Sequence, residues 1–276
     1  MNFKYDIIVL TEDRHENPVE LTPYIKNVLL EDALLVNALS TRGLKVARFS
    51  WSNPNVDWKE TKAVIFRTTW DYFSRFKEFK KWLDSIKNSV VIINPYELIF
   101  WNMDKNYLKD ISAKGIPIPP TYFIEKGEER TLQEITSGLP YHKYILKPNV
   151  SGAARHTYKL DNHNIDDHED LFELLISDEA FMIQEFMENI QIRGEISLVI
   201  IDGKFTHAVL KQGVNGDFRV QDDFGGTVQE YEPNEEEITF AEKCIAALDY
   251  SPLYARVDLM WDNTGKLVLS ELEMIE

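Results

Sequence analysis

The first hundred residues alternate short apolar runs with segments in which apolar residues recur at helical spacing, and this rhythm restricts the fold more than any other feature. A strand followed by a helix and a further strand is typical of a parallel sheet covered by helices. We therefore predict a parallel α/β domain over residues 1–102. The predicted strands are Tyr5–Leu10, Leu44–Trp51, Ala63–Arg67 and Val90–Asn94, and the predicted helices are Val28–Leu39 and Phe76–Ile86.

Many α/β domains bind phosphate through a glycine-rich loop after the first strand, and this sequence has no such loop. Neither G-x-G-x-x-G nor G-x-x-x-x-G-K-[ST] follows the first strand. The sequence therefore disfavours a nicotinamide-dependent oxidoreductase and a P-loop enzyme.

Charge and cysteine content narrow the class of protein further. The chain has 30 Lys and Arg against 46 Asp and Glu, a formal net charge of -16, which opposes binding to nucleic acid or to an anionic membrane. The N-terminus does not resemble a signal peptide, and no apolar run approaches the roughly 18 residues of a membrane helix. We expect a cytoplasmic protein whose single cysteine, Cys244, is a buried core residue.

The rhythm changes after the connector Gly115–Pro120. Residues 103–187 show short strands and helices that suggest a compact α+β lid, preceded by one helix over Glu97–Ala113. Residues 188–276 are rich in strands, which predicts a sheet with hairpins at Asp202-Gly203 and Asp262–Lys266. The predicted strands of the two regions are Thr121–Glu125, Lys143–Lys147, Thr157–Leu160, Phe181–Phe186, Glu195–Ile201, Phe205–Leu210, Tyr254–Trp261 and Leu267–Glu273, and the other predicted helices are Thr131–Ser137, His168–Ile176 and Glu235–Ala247.

The last hairpin concentrates charge on strands that are otherwise apolar. Arg256 and Asp258 are two residues apart on one strand and so share a face, and Glu271 and Glu273 share a face of the next. Carboxylate oxygens are the ligands that Mg²⁺ prefers, because it is a hard cation. A solvated face with salt bridges explains the same pattern equally well.

Two lysines precede small residues that allow an anion to approach the backbone. Lys147 ends an apolar strand and is followed by Ser151 and Gly152, while Lys105 lies in a helical segment. Solvated surface lysines and an ordinary loop are the alternative explanation.

A third segment has an apolar strand that ends in polar residues, followed by Gly194-Glu195. Backbone groups at such a strand end can read an adenine edge while apolar side chains enclose the base, and Glu195 can accept from ribose hydroxyls. An ordinary strand end is the alternative. The segment comprises Gln184, Glu185, Phe186 and Met187.

A fourth segment combines basic residues with a double glycine. Lys211 and Arg219 precede Gly225 and Gly226, and basic groups beside flexible backbone can hold a phosphoryl group or an oxyanion; a polar loop remains an alternative.

Ligands of α/β sheets bind at the carboxyl ends of the strands. The third strand therefore supplies candidate substrate contacts in Arg67, Thr69, Trp70 and Asp71.

The order of these segments resembles the ATP-grasp superfamily over roughly residues 102–276. The fold expected from the resemblance combines α/β and α+β parts: an N-terminal parallel α/β pre-ATP-grasp domain (1–102), an α+β lid (103–187) and a C-terminal antiparallel catalytic sheet (188–276). The chain is most similar to the glutathione synthetase-like branch, and within it to the O-ureido-serine cyclo-ligases of cycloserine biosynthesis. The closer similarity rests on Arg67–Tyr72, Phe218–Gln221 and Glu271–Glu276.

The resemblance implies an ATP-dependent carboxylate–amine ligase that forms an acylphosphate on a small amino-acid-like substrate. It implies ATP and two Mg²⁺ ions, with Mn²⁺ as a substitute. The ATP phosphates would be held by Lys105, Lys147, Ser151 and Gly152. The adenine would be bound by Gln184, Glu185, Phe186 and Met187, and the ribose by Glu195. The metal ions would be bound by Asp258, Glu271 and Glu273. The transferring phosphoryl group would be stabilised by Arg256, Lys211 and Arg219. The substrate would lie between the first domain and the catalytic sheet and would be contacted by Arg67, Thr69, Trp70, Asp71, Gly225 and Gly226.

The sequence departs from the family pattern at Glu273, where many ATP-grasp enzymes have asparagine, and it ends at Glu276, where relatives continue into a C-terminal helix.

Two other functions stay open: ligation of amino acids to a peptide or protein tail, and nucleotide binding without turnover. We expect no nucleic-acid or membrane partner, and a homodimer is left open.

Overall fold

The computed structural model describes residues 3–214, 217–220 and 225–275, and the chain forms two compact units. The first unit comprises Met1–Met103, Pro252–Tyr254 and Glu273–Glu276, and the second comprises Asp104–Ser251 and Ala255–Leu272. Among the residues described, no helix is long and apolar enough to cross a membrane. The division of residues 103–276 into a lid and a catalytic part at residue 187 stays a prediction.

The first unit contains a four-stranded parallel sheet, as the alternation of strands and helices predicts. Its strands are β1 (Tyr5–Thr11), β2 (Val46–Ser50), β3 (Thr61–Thr68) and β4 (Val91–Ile93), and its helices are α1 (Asp13–Glu16), α2 (Pro23–Ser40), α3 (Phe76–Ile86) and α4 (Tyr96–Asn102). The strand order is β2-β1-β3-β4. Apolar residues of β1 and β3 pack against Phe79, Leu83 and Ile86 of α3 in one buried core. This packing explains why α3 has the predicted bounds, since its apolar residues recur every three or four positions.

Helix α2 begins five residues before the predicted start at Val28. Pro23 occupies the first turn, and the Thr22 hydroxyl accepts a hydrogen bond from the Ile25 amide at 3.2 Å. A capped proline start stabilises a helix whose first turn is exposed. The prediction was late because it counted only apolar residues.

The single helix predicted over Glu97–Ala113 is wrong. Helix α4 ends at Asn102, and α5 (Tyr107–Ala113) begins after a break. In the break, the Asp104 carboxylate accepts from the Asn106 amide at 2.9 Å, and the Lys105 amide donates to the Asn149 carbonyl at 2.9 Å. These bonds replace those of a continuous helix, because Asp and Asn side chains compete for nearby backbone groups.

The second unit begins with a four-stranded antiparallel sheet, which agrees with the predicted α+β lid. Its elements are β5 (Thr121–Ile124), α6 (Leu132–Thr136), β6 (Lys143–Pro148), β7 (Tyr158–Asp161), α7 (Glu169–Ile176) and β8 (Phe181–Glu185), and the strand order is β5-β8-β6-β7. Phe172 and Ile176 of α7 and Leu132 and Ile135 of α6 pack on one face of this sheet.

A five-stranded sheet completes the second unit. Its elements are α8 (Ile190–Arg193), β9 (Glu195–Ile201), β10 (Lys204–Gln212), β11 (Thr227–Tyr231), α9 (Glu235–Ala246), β12 (Tyr254–Trp261) and β13 (Leu267–Glu273), in the order β11-β10-β9-β12-β13. Both predicted hairpins are present, and Asp202 and Gly203 have φ of 51° and 74°, as a tight two-residue turn requires. Edge strand β11 was not predicted, because its exposed residues show no apolar alternation.

Candidate active site

Strand β12, which lies between β9 and β13 in the five-stranded sheet, carries a charged pair. The Arg256 Nε donates to Asp258 Oδ1 at 2.9 Å, and its Nη2 donates to Oδ2 at 2.9 Å. The Asp258 side chain is only 3% exposed. Burial by itself would raise the pKa of Asp258, but Arg256 and Lys211 outweigh it and hold the pKa below its usual value. The carboxylate is therefore ionised in the protein's interior.

A second ion pair holds Glu271 of β13. The Lys105 ammonium lies 2.6 Å from Glu271 Oε1, and the lysine side chain is 7% exposed. Burial acts to raise the pKa of Glu271, whereas Lys105 and then Lys147 lower it, with a net shift downward. Two predicted phosphate lysines are thus close enough to Glu271 to keep it charged.

Lys211 of β10 lies between two carboxylates. Its ammonium is 3.4 Å from Glu195 Oε1 and 3.4 Å from Asp258 Oδ2. Burial, followed by the charge of Asp258, raises the pKa of Glu195 above its usual value. The sheet therefore brings together Lys211, Asp258 and Arg256, which the sequence assigned to catalysis and metal binding, and adds Glu195 to them.

The arrangement of Asp258 and Glu271 decides which kind of metal site they could form. Among the described residues, no group of three or more His, Cys, Asp or Glu side chains is placed to hold a metal by itself. Mg²⁺ in nucleotide enzymes is commonly bound by one or two carboxylates together with phosphate oxygens. Asp258 and Glu271 are ionised oxygen donors, so they fit an ion that is also bound by nucleotide phosphates. Glu273 is the last residue of β13.

The loop after β6 has the strained backbone expected of a ligand loop. Ala153, Ala154 and His156 have φ of 48°, 53° and 49°. Residues other than glycine adopt such angles at a cost and usually where surrounding contacts hold them. Ser151 contributes to this support: its hydroxyl donates to the Pro148 carbonyl at 3.1 Å, and its own carbonyl accepts from the Lys105 ammonium. The bond from the Lys105 ammonium to the Ser151 carbonyl therefore connects Lys105 to the loop.

The segment after β8 contains a backbone donor, the Met187 amide, whose acceptor is not found among the described residues. The amides of Glu185 and Phe186 donate to the carbonyls of Pro120 and Lys143 at 2.8 and 2.9 Å. No described group accepts the amide of Met187, whose side chain is buried. A buried amide without an acceptor among the described residues is well suited to a ligand acceptor, such as a ring nitrogen of adenine.

Apolar side chains surround this segment. Phe186 packs with Val220 and with the half-buried Ile145, Phe218 and Met260. Gln184 is buried, and its amide donates to the Thr121 hydroxyl at 3.0 Å. A flat base fits such a cluster, because one polar edge and apolar walls are what adenine requires.

The segment after β8 that contains Glu185, Phe186 and Met187, called the hinge below, is hydrogen-bonded to the last hairpin. The amide of Glu188 donates to Asn263 Oδ1 at 2.8 Å, and Asn263 Nδ2 donates to Glu185 Oε1 at 2.9 Å and to the Phe186 carbonyl at 3.0 Å. Asn263 lies in the turn between β12 and β13, so this turn fixes the hinge relative to the strands that carry Asp258 and Glu271.

Arg219 forms an ion pair within its own segment, and the double glycine precedes an edge strand. Arg219 Nη2 lies 2.7 Å from Asp217 Oδ2. Gly225, with φ of 80°, and Gly226 come directly before the edge strand β11. Gln221 and Phe224, which belong to the same predicted motifs, and Glu276 are outside the described residues.

In the first unit, the predicted substrate residues follow β3. Arg67 pairs with Glu31, and the buried Thr69 hydroxyl donates to the Ile275 carbonyl at 2.9 Å. The Trp70 ring lies 5.6 Å from the ring of His15. Asp71 accepts from Trp51 Nε1 at 2.7 Å and pairs with Arg75 at 2.9 Å.

Two serines at the charge cluster were not predicted. The Ser197 hydroxyl donates to Asp258 Oδ1 at 2.6 Å, and the Ser270 hydroxyl donates to Glu195 Oε2 at 2.9 Å. Serine in an apolar strand is a weak signal without strand register. The pattern Glu195-x-Ser197 does offer a clue, since residues two apart share a face.

A parallel α/β unit, an antiparallel α+β sheet and a strand-rich sheet that carries paired carboxylates and lysines are the parts of the ATP-grasp fold that the sequence led us to expect. Residues 152–274 match the RimK-like ATP-grasp domain, and residues 7–94 match the N-terminal domain of D-cycloserine synthetase DcsG.

Relatives of known structure agree with this class. The cycloserine biosynthesis protein DcsG of Streptomyces lavendulae is 25% identical over 256 residues, which are 88% of this chain and 85% of that protein. The crystal structure of D-cycloserine synthetase DcsG matches with a TM-score of 0.83 at 25% identity, covering 98% of this chain and 92% of that one. The D-alanine–D-alanine ligase of Bacillus anthracis complexed with ATP shares the fold, with a TM-score of 0.64 at 17% identity over 98% and 86% of the two chains.

Over most of its length the chain is therefore similar to ATP-grasp ligases, enzymes that use ATP to join a carboxylate to an amine. The expected fold class and the resemblance stated from the sequence are confirmed. The match of residues 152–274 to an ATP-grasp domain implies the use of ATP and a divalent metal ion.

Proposed function

We propose that this ligase phosphorylates the carboxylate of a small amino-acid-like substrate and then couples the acyl group to an amine. The observation that carries the proposal is the buried charge cluster, in which Lys105, Lys211 and Arg256 keep Asp258 and Glu271 ionised. Burying charges is costly unless they are paired with one another or with a bound ion. The mixture of cations and carboxylates in the cluster suits a triphosphate accompanied by metal.

The reaction has two balanced steps. A carboxylate oxygen attacks the γ-phosphorus of ATP, ADP leaves, and an acylphosphate forms. The amine nitrogen then attacks the acyl carbon, phosphate leaves, and the nitrogen loses a proton. No protein nucleophile is needed. Cys244 is fully buried, and burial raises its pKa to about 12, so its thiol stays neutral.

The chain's own residues orient the reactants. Lys105 and Lys147 hold the phosphates, together with the loop at Ser151 and Gly152, and Lys211 and Arg256 offset charge on the transferring phosphoryl group. Two Mg²⁺ ions, replaceable by Mn²⁺, would be held by Asp258, Glu271 and Glu273 and would neutralise charge on the phosphate oxygens.

Adenine is proposed to bind at the hinge. The Met187 amide would donate to a ring nitrogen, and Ile145 and Met260 would enclose the base with Phe186. The buried Met187 amide, which has no acceptor among the described residues, and the apolar cluster support this assignment. Glu185 and Gln184 flank the same edge.

The similarity to a cycloserine biosynthesis protein favours a cyclising ligase, in which the carboxylate and the amine belong to one molecule. Arg67, Thr69, Trp70, Asp71, Gly225 and Gly226 are the proposed substrate contacts, and Arg219 would stabilise the phosphoryl group. Arg67 suits a carboxylate because its guanidinium binds two oxygens at once. A homodimer and a cytoplasmic location also stay predictions.

The test is release of ADP and phosphate with MgATP across amino acids, ureido and aminooxy compounds, and short peptides. Stimulation by one small-molecule class, with the ligated or cyclised product identified by mass spectrometry, supports the proposal. Stimulation by peptides alone would point instead to a tail ligase. Tight MgATP binding without turnover on any substrate would favour a binding module.

Asp258→Asn and Glu271→Gln are each expected to abolish turnover while the fold is retained, because both remove an ionised oxygen donor from the cluster. Circular dichroism checks the fold, and Asp178→Asn, at a side chain that is 82% exposed, serves as the matched control. Wild-type ADP release in either cluster variant would refute the proposed metal role.

A further inference from the structure

Asn263 is bonded to the hinge and to the residue after it through both polar atoms of its side chain. Its Nδ2 donates to the Phe186 carbonyl at 3.0 Å and to Glu185 Oε1 at 2.9 Å, and its Oδ1 accepts from the Glu188 amide at 2.8 Å. Two acceptors therefore face the nitrogen and one donor faces the oxygen, which fixes the orientation of the amide group. A carboxylate or a hydroxyl does not offer this combination, so the contacts require a carboxamide.

The turn that carries Asn263 is stabilised by the residue before it. Asp262 Oδ1 accepts from the Thr264 amide, the Thr264 hydroxyl and the Lys266 amide, each at 2.8 Å. Gly265 has φ of 86°, which glycine adopts without strain. An aspartate that bonds to backbone groups ahead of it is typical of such turns. Because Asp262 holds the turn, the side chain of Asn263 is available to contact the hinge.

The bond to the Phe186 carbonyl determines where the Met187 amide points. This carbonyl and the Met187 N–H belong to one peptide group, which is planar and trans, so the two point in opposite directions. Because Asn263 holds the carbonyl toward the turn, the N–H of Met187 points away from the turn. A hydrogen bond to the carbonyl also polarises the peptide group and strengthens its N–H as a donor.

We propose that Asn263 is a positioning residue for base recognition: by holding the Phe186 carbonyl, it directs the Met187 amide at the nucleotide and makes the site select adenine. The inference rests on the adenine site proposed above and names the residue of the β12–β13 turn that orients it. Adenine has an acceptor at its ring nitrogen N1, whereas hypoxanthine, the base of ITP, carries a hydrogen there. A fixed N–H donor favours ATP over ITP, because two donors that face each other are both left unpaired.

The test measures the dissociation constants of MgATP and MgITP by titration calorimetry in the wild type and in Asn263→Ala. An unpaired buried donor lowers affinity by roughly 5- to 150-fold, so the wild type should prefer MgATP by at least about fivefold. We expect Asn263→Ala to bind MgATP roughly three- to tenfold more weakly and MgITP no more weakly than the wild type. Equal losses for both nucleotides, or an unchanged preference, would overturn the inference.

Asn189→Ala is the matched control, because Asn189 joins the same two segments without contacting the peptide group of Phe186 and Met187. Its Nδ2 donates to the Asp262 carbonyl. Since the direction of the Met187 amide does not depend on this bond, Asn189→Ala should keep the wild-type preference for MgATP. If it lost the preference as Asn263→Ala does, the bonds would serve only to connect the turn to the hinge, and the positioning role would be wrong.

Asn263→Asp keeps the test decisive should Asn263→Ala not fold, which a thermal melt followed by circular dichroism shows. This change retains the size of the side chain and the acceptor for the Glu188 amide, and it removes the donor to the Phe186 carbonyl. The preference for MgATP should therefore fall in Asn263→Asp as well. A full preference in Asn263→Asp would contradict the assignment to the Phe186 bond.

The failure of this inference can be distinguished from the failure of the ligase function, because the inference is tested by binding. A wild type that binds MgATP in preference to MgITP and releases no ADP with any substrate refutes the ligase function alone. A wild type that releases ADP with a substrate and binds the two nucleotides equally refutes the role of Asn263 alone.

Discussion

At the scale of single residues, the cluster is organised by cations that hold carboxylates in their ionised form. Asp258 and Glu271 are surrounded by low-dielectric protein, and each would take up a proton more readily if its cation were removed. Lys105, Lys211 and Arg256, which pair with these carboxylates, carry the positive charge that would offset the negative charge of phosphate. A nucleotide with its metal can therefore replace these internal pairs without leaving any charge unpaired.

Lys147 offers a direct test of phosphate binding. It lies near the end of β6 and lowers the pKa of Glu271 by its charge. We expect Lys147→Ala to weaken MgATP binding by roughly 10- to 100-fold, since a charge-assisted hydrogen bond contributes about 1.5–3 kcal/mol. Titration calorimetry measures the dissociation constant.

Lys143→Ala is the matched control for Lys147→Ala. Lys143 is on the same strand, and its side chain is 53% exposed and paired with Glu188. Its removal should leave MgATP affinity unchanged. An equal dissociation constant in wild type and Lys147→Ala would exclude Lys147 as a phosphate contact.

At the scale of elements, the loop after β6 depends on an anchor at its base. Arg155 Nη1 lies 2.8 Å from Glu179 Oε1, and its Nη2 donates to the Val150 carbonyl at 2.9 Å and pairs with the same carboxylate. A bidentate pair fixes direction as well as distance. It holds the strained loop in place from the side of β8.

Arg155→Lys should weaken this anchor, because lysine cannot make the two parallel bonds of a guanidinium. We expect MgATP to bind roughly tenfold more weakly, which corresponds to a loss of about 1.4 kcal/mol. Arg130→Lys is the control, since Arg130 pairs with Glu128 on the surface and is 50% exposed. A similar effect of both changes on affinity would show that the loop does not depend on Arg155.

Elements with a strong apolar rhythm could be predicted from the sequence, and those determined by local side chains or by neighbours could not. Helix α3, β12 and β13 have the predicted bounds because their patterns match a single period. The break at Asp104–Asn106 depends on one side-chain bond, and β11 depends on pairing with β10. The roles of Ser197 and Ser270 depend on strand order, which the sequence does not specify.

At the scale of the whole chain, the second unit contains the only cysteine of the sequence. Cys244 lies in α9, is fully buried, and has its pKa raised to about 12 by burial. Only a thiolate reacts quickly with disulfide or maleimide reagents. Reaction at neutral pH therefore requires that this part of the second unit open, and the labelling rate reports its stability.

MgATP should slow this labelling, because the nucleotide is proposed to bind only to the folded second unit. At a concentration about 100 times its dissociation constant, a ligand stabilises the folded state by about 2.7 kcal/mol, which lowers the open population roughly 100-fold. The measurement is the rate of thiol modification in mild denaturant with and without MgATP. Lys147→Ala should lose most of the protection at the same nucleotide concentration, and fully unfolded protein should react equally fast in both conditions. Rapid modification of the native protein, or a rate that MgATP leaves unchanged, would mean that Cys244 opens independently of the nucleotide site.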